Sequence, residues 1–172
     1  MSAMMVEDEG KAVRIAAALL EGAGFGSFSF GTNFVLRFAR SGPGDFEGRT
    51  LPAEIELWIG ADWWFDERGD WDAKVARMAP ANAVEPDEPV LAYELAALRW
   101  AEGSEIRSVV LSASSLRLEF VSGRVITVRN SSDDGDRAWT VTSLEHGTTP
   151  PLWSVTAEDG ALFVRAPCLR GE

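Results

Sequence analysis

The residues most able to do chemistry lie close together in the middle of the chain. Asp62, Asp66, Glu67, Asp70 and Asp72 fall within eleven positions and are interleaved with Trp63, Trp64 and Trp71, with Trp58 just upstream. Paired carboxylates serve glycoside hydrolysis or divalent-metal phosphoryl chemistry, and tryptophan faces beside them stack on sugar rings. A second acidic group, Asp133, Asp134 and Asp136, occupies the short span from Ser131 to Arg137. It lacks the glutamate that an EF-hand loop needs at its twelfth position, so it reads as an exposed turn between strands.

Other catalytic apparatus is sparse. His146 is the single histidine, in the loop-like run His146-Gly147-Thr148-Thr149-Pro150-Pro151. The single cysteine, Cys168, stands in a C-terminal tail between Arg165 and Arg170. Neither forms a nucleophile-and-base pair with Ser143 or any other residue through a known motif. Gly22, Gly24 and Gly26 precede a strand instead of opening a helix, so they are no phosphate cradle. These observations argue against an enzyme and imply no catalytic residue, no metal and no cofactor.

Charge is distributed unevenly. The 172 residues carry 27 Asp and Glu against 16 Lys and Arg, a formal net charge of -11. That balance disfavours nucleic acid and anionic membrane surfaces as partners. Residues 45–88 hold twelve acids and four bases, net -8, together with four of the seven tryptophans. A one-signed field beside large aromatics is what an interface for a basic protein requires. A solvated rim around packed tryptophans is the competing account, and Trp58 tests it: out of phase with Ile55, Leu57 and Ile59, it should stand on an open face with Glu54 and Glu56.

Hydrophobic spacing supplies the elements. Val13, Ala16, Ala17 and Leu20 mark a helix that stops at Gly22. Phe28 and Phe30, then Phe34, Leu36 and Phe38, alternate around Gly31-Thr32-Asn33 as a hairpin, and Ile55–Ile59 with Trp63–Phe65 reads as a second hairpin. Trp71, Val75 and Met78 suit a short helix capped by Asp70. The proline-rich span 79–89 reads as a connector, followed by a helix with Pro89 at its first position and Gly103 at its stop. The remaining segments, Ile106–Leu111, Leu116–Val121, Arg124–Arg129, Ala138–Thr142, Leu152–Val155 and Ala161–Val164, are strand-like. Ser122-Gly123 and Asp159-Gly160 serve as turns. No apolar run spans a bilayer and no secretory leader is recognisable at the N-terminus, so the expected location is cytoplasmic.

The two halves match in step. Glu21-Gly22 followed by Phe25, Phe28 and Phe30 parallels Glu102-Gly103 followed by Ile106, Val109 and Leu111. After a one-residue slip, Phe34, Leu36 and Phe38 parallel Leu116, Leu118 and Phe120. The expected fold is α+β: a mainly antiparallel sheet from two tandem helix-plus-β-hairpin repeats, about 7–78 and 89–165, sharing one core in a single domain over 1–172.

The second copy, "LAALRWAEGSEIRSVVLSASSLRLEFVSGRVITV" followed by "AWTV", resembles a pattern of small uncharacterised bacterial proteins similar to immunity proteins of polymorphic toxin systems. "IELWIGADWWF" in the first copy carries a looser version, with one extra residue between Gly60 and Trp63. The resemblance implies a fold type and a binding role, and it transfers no catalytic residue. The function expected is therefore a non-enzymatic binding protein that neutralises a basic toxin by occlusion, through Trp58, Asp62, Trp63, Trp64, Asp66, Glu67, Asp70, Trp71 and Asp72. The alternative is a small-molecule or carbohydrate-binding protein, or an acidic-residue hydrolase, using segment 58–72. A homodimer that buries Trp58 is the third.

Overall fold

A computed structural model describes residues 6–30, 34–78, 87–133, 137–144 and 152–167, and all statements below concern those residues. They form an α+β arrangement of three helices and mostly antiparallel sheet. After the short strand β1 (Val6–Glu7), helix α1 (Glu9–Leu20) begins at Asp8, whose Oδ1 accepts the Lys11 N–H at 2.9 Å. That contact satisfies one orphan donor of the first turn. Arg40 closes the other end, donating to the Ala18 and Leu19 carbonyls at 2.7 and 2.8 Å and to Glu21 O at 3.1 Å. Partial burial of this guanidinium lowers its pKa from the ordinary arginine value. Gly22 then turns the chain at φ +75°, a conformation that favours a residue without Cβ.

Strands β2 (Ala23–Ser29) and β3 (Phe34–Arg40) pair antiparallel as the sequence predicts. A small hairpin that the alternation did not reveal follows, β4 (Asp45–Phe46) and β5 (Arg49–Thr50), turning through Glu47 and Gly48 at positive φ. Next come β6 (Glu54–Ile59) and β7 (Trp63–Phe65), helix α2 (Arg68–Met78), helix α3 (Asp87–Ala101) and strands β8 (Ile106–Leu111), β9 (Ser115–Phe120) and β10 (Val125–Arg129). The series ends with β11 (Arg137–Ser143), β12 (Ser154–Glu158) and β13 (Ala161–Arg165). The larger sheet runs β1-β13-β12-β11-β6-β3-β2 and the smaller β7-β10-β9-β8.

This order corrects the second hairpin. β6 and β7 do not pair: β6 lies between β3 and β11, whereas β7 adds to β10 in the other sheet. The crossing is held at Gly60, because the Gly60 and Ala61 N–H groups both donate to Ala138 O, at 2.9 and 3.0 Å. Any Cβ at Gly60 would meet the Arg137 carbonyl oxygen at 2.6 Å, so only glycine lets the two backbones approach this closely. The chain makes the same move from β10 to β11, which leaves the smaller sheet to join β6. The two pairings are reciprocal: Trp63 lies opposite Val128 and Phe65 opposite Ile126, while Trp139 lies opposite Ile59 and Val141 opposite Leu57.

Other local features also recur. The β2–β3 register slips between Phe25 and Ser27, and the β8–β9 register between Ile106 and Ser108. The Gly22 N–H donates to Ile106 O at 2.8 Å and the Gly103 N–H to Phe25 O at 2.7 Å, on either side of a bridge between Gly24 and Glu105. One hydrophobic cluster draws on both sheets and on all three helices, with Phe25, Phe38, Phe65, Phe120, Trp139 and Trp153 among its largest members. The Phe25 and Phe120 rings, 6.2 Å apart, join the sheets.

The helices differ from expectation at their starts. α2 opens at Arg68, so Asp70 sits inside its first turn and is not its cap. α3 opens at Asp87, which makes Pro89 its third residue; the first helical N–H groups have no partner within the helix, so proline is tolerated there. Of the connector expected over 79–89, residues 79–86 lie outside the described residues, as do the Gly31-Thr32-Asn33 turn, Asp134, Asp136, His146 and Cys168.

Glu94 of α3 lies on the helix face of buried Ala97 and Leu98, and burial pushes its carboxyl above the usual glutamate range. The folded state then holds the proton more tightly than the unfolded state, so the protein loses stability as pH rises through the folded pKa. Glu94→Gln should raise the thermal midpoint at neutral pH, with the advantage shrinking as acid protonates the wild-type carboxyl. Paired melting curves across that range check it.

Candidate functional site

The nine residues of the candidate patch fall into separate environments. Trp71, 5% exposed, and Trp63 belong to the interior: the Trp63 ring lies 5.1 Å from Phe34, 5.9 Å from Phe65 and 5.6 Å from Trp71, and Trp71 lies 5.2 Å from Tyr93. Adjacent residues of a strand point to opposite faces, so Trp64 lies on the other side from Trp63, opposite Thr127, where it is half-buried and still packs against the core cluster. Trp58 also faces outward, from the middle of the larger sheet, and is 38% exposed. Glu56, instead of lying free beside it, is buried: its carboxylate accepts the Trp58 indole N–H at 3.0 Å and the Arg37 Nε–H at 2.9 Å, which fixes the indole orientation.

The acids are less free than their spacing implies. Asp62 pairs with Arg129 at 3.1 Å and Arg68 at 3.7 Å, Asp72 with Arg68 at 2.9 Å, and Asp66 with Arg124 at 2.8 Å. Asp66 is also structural: at φ +57° its N–H donates to Val125 O and its Oδ1 accepts the Val125 N–H, which extends the β7–β10 ladder by one residue. Glu67 and Asp70 are exposed and make no ion pair with a described residue. From Asp62 to Asp72, with Asp133 added through Arg129, six carboxylates (Asp62, Asp66, Glu67, Asp70, Asp72 and Asp133) face three guanidiniums (Arg68, Arg124 and Arg129). The carboxylates exceed these guanidiniums by three, and Lys74, one turn after Asp70 on α2, offsets part of the surplus.

Trp64 also lines a cavity of about 470 Å³ that draws on residues the sequence did not single out: Ser114, Ser115, Arg129, Asn130 and Ser131. The Arg68 guanidinium carbon sits 4.9 Å from the centroid of the Trp64 ring, a cation–π contact. The lining is tied down from behind. Ser112 Oγ lies 3.4 and 3.2 Å from the Ser114 and Ser115 backbone nitrogens that donate to it, and Asn130 donates from Nδ2 to Ser112 O at 2.7 Å. Asn130 Oδ1 in turn accepts the N–H of buried Trp139 at 2.8 Å. A serine-rich turn between two strands was the only sequence signal for these partners. Trp100, 70% exposed on α3, was likewise not singled out.

Among the described residues no group of three or more His, Cys, Asp or Glu side chains is arranged to hold a metal ion, and no helix is long and apolar enough to cross a membrane. No protein-family model, curated protein or solved structure matches the chain.

Proposed function

We propose that this chain is a cytoplasmic bacterial binding protein of the immunity type, which occludes a basic protein partner without turnover. The observation that carries the reading is the charge surplus along β7 and the start of α2: three carboxylates beyond the guanidiniums that face them, with Glu67 and Asp70 making no ion pair among the described residues, next to half-buried Trp64. Uncompensated charge at a rim accelerates encounter, and an adjacent tryptophan supplies the apolar anchor. Trp58, on the other sheet, lies outside this surface in the proposal.

The architecture belongs to the same proposal: a tandem duplication of a helix and four strands, folded as one domain. Three features support it. The register slips at Phe25/Ser27 and Ile106/Ser108 coincide in the two copies, the Gly22 and Gly103 hydrogen bonds are mutual, and each copy lends its fourth strand to the other's sheet.

The test is coexpression with each basic protein that a gene beside this one is found to encode. Co-elution and rescue of growth are expected, and Glu67→Lys with Asp70→Lys should weaken the complex by about tenfold at low salt, since one or two rim charges contribute on the order of 1 kcal/mol. Asp66 is unsuited to this test because it holds the β7–β10 ladder. Failure of any basic neighbour to co-elute overturns the reading; a complex indifferent to both substitutions and to salt overturns its electrostatic part.

A further inference from the structure

We infer that the Trp64 cavity is a binding site for a neutral, polyhydroxylated ring such as a pyranoside, a ligand that would share Trp64 with the protein partner proposed above. Its volume of about 470 Å³ lies within the range of small-ligand sites, roughly 300–1,000 Å³, in a depression that is open to solvent on one side. The lining brings an aromatic residue, Trp64, together with short polar residues, Ser114, Ser115, Ser131 and Asn130, and with Arg129. A pyranose matches this division, with an apolar C–H face for the part of the indole that Arg68 leaves open and an edge of hydroxyls, each both donor and acceptor, for the serines.

The charges present are largely spent on one another. Arg129 is neutralised by Asp62 at 3.1 Å and Asp133 at 3.4 Å, and Arg68, over the Trp64 ring, by Asp72 at 2.9 Å. An ion of either sign would have to displace a partner from these pairs, and an anion would in addition meet the surplus carboxylate. A neutral ligand meets neither penalty. The site is also preorganised. Ser112 fixes the Ser114–Ser115 backbone, and Asn130, itself 4% exposed, is locked between Ser112 O and the Trp139 indole, so little ordering remains to be done on binding.

The experiment is an NMR titration of the ¹⁵N-labelled full chain with methyl glycosides of glucose, galactose and N-acetylglucosamine, with arginine amide and inorganic phosphate as charged probes. The expected result is a saturable shift of the Trp64 indole N–H and of the Ser115 and Asn130 amides with at least one glycoside. Trp64→Ala should weaken binding by about tenfold or more, the scale of a lost aromatic anchor, and Ser115→Ala by about threefold; Trp100→Ala, on α3, should leave it unchanged. Trp64→Phe keeps an aromatic platform and should retain binding even where the alanine variant folds poorly. Saturation by arginine amide or phosphate in place of every glycoside overturns the inference, as does the absence of saturable shifts at tens of millimolar glycoside. Glu67 and Asp70 lie outside the lining, so Glu67→Lys with Asp70→Lys should weaken the partner alone and Ser115→Ala the glycoside alone.

Discussion

Trp139→Ala is expected to lower unfolding free energy by about 3–5 kcal/mol, the range for deleting a large buried aromatic, and to drop the thermal midpoint by roughly 6–20 °C. The indole is 1% exposed at a place where two roles meet. Opposite Ile59, it closes the β6–β11 seam of the larger sheet, and its N–H is the donor that Asn130 Oδ1 accepts. Trp139→Phe separates the roles. Most of the apolar volume remains, but Asn130 keeps a buried oxygen without its donor, for a cost of about 1–3 kcal/mol. Because Asn130 also anchors Ser112, the phenylalanine variant should speed amide hydrogen exchange in the Ser112–Ser115 turn beyond what its global stability accounts for. Urea denaturation with residue-resolved exchange checks both. A phenylalanine variant as stable as wild type, with unchanged exchange at Ser114 and Ser115, would show that the indole N–H ties nothing down.

Gly60→Ala carries the second large effect, a destabilisation of about 1–3 kcal/mol by forced repacking, and Gly60→Val should exceed it. The added methyl is directed at a backbone oxygen, Arg137 O at 2.6 Å, and a carbonyl in a paired strand cannot swing aside as a flexible side chain can. Relief requires β11 to move away from the crossing between β6 and β7, at the expense of the hydrogen bonds to Ala138 O. Gly69→Ala provides the contrast. Gly69 is in α2, with nothing within 4 Å of the added Cβ, so alanine should stabilise by up to about 1 kcal/mol through helix propensity. Chemical denaturation of the pair suffices: equal effects at both positions would refute the steric account.

Much of the fold was legible in the alternation. Ile106–Leu111 appears as read, Gly22 and Gly103 stop their helices at positive φ, and the outward phase of Trp58 is correct. Pairing was not legible, and for a physical reason. A period of two tells which face of a strand is buried but not which strand lies beside it, so Ile55–Ile59 and Trp63–Phe65, adjacent in sequence with a glycine between, read as a hairpin. What separates them is the reach of Ala138 O toward Gly60 and Ala61, a contact the linear sequence does not display.

The candidate site misled in the same way. Charges were summed along the chain, but ion pairs form across it: Arg14, Arg37, Arg124 and Arg129, all outside residues 45–88, pair with Glu47, Glu56, Asp66 and Asp62 within it. The local figure of -8 therefore overstates the field a partner meets. Trp71 had the helical spacing of a buried stripe with Val75, and the structure places it in the core. Arg129 and Asn130, which shape the Trp64 cavity, lie in β10 and just after it, far from Trp64 along the chain.

The exchange of strands at Gly60 and its counterpart before Arg137 also bears on how the chain is made. While it emerges from the ribosome, β6 is complete long before β11 exists, and β7 must wait for β10; Ile59 has to find Trp139, and Trp64 has to find Thr127, across most of the intervening sequence. Contacts of such separation slow folding, and an unpaired strand left waiting is a template for the wrong neighbour. In the finished molecule β6 lies between β3 and β11 with no free edge, but during synthesis it can pair only with β3, and its other edge stays open until β11 arrives.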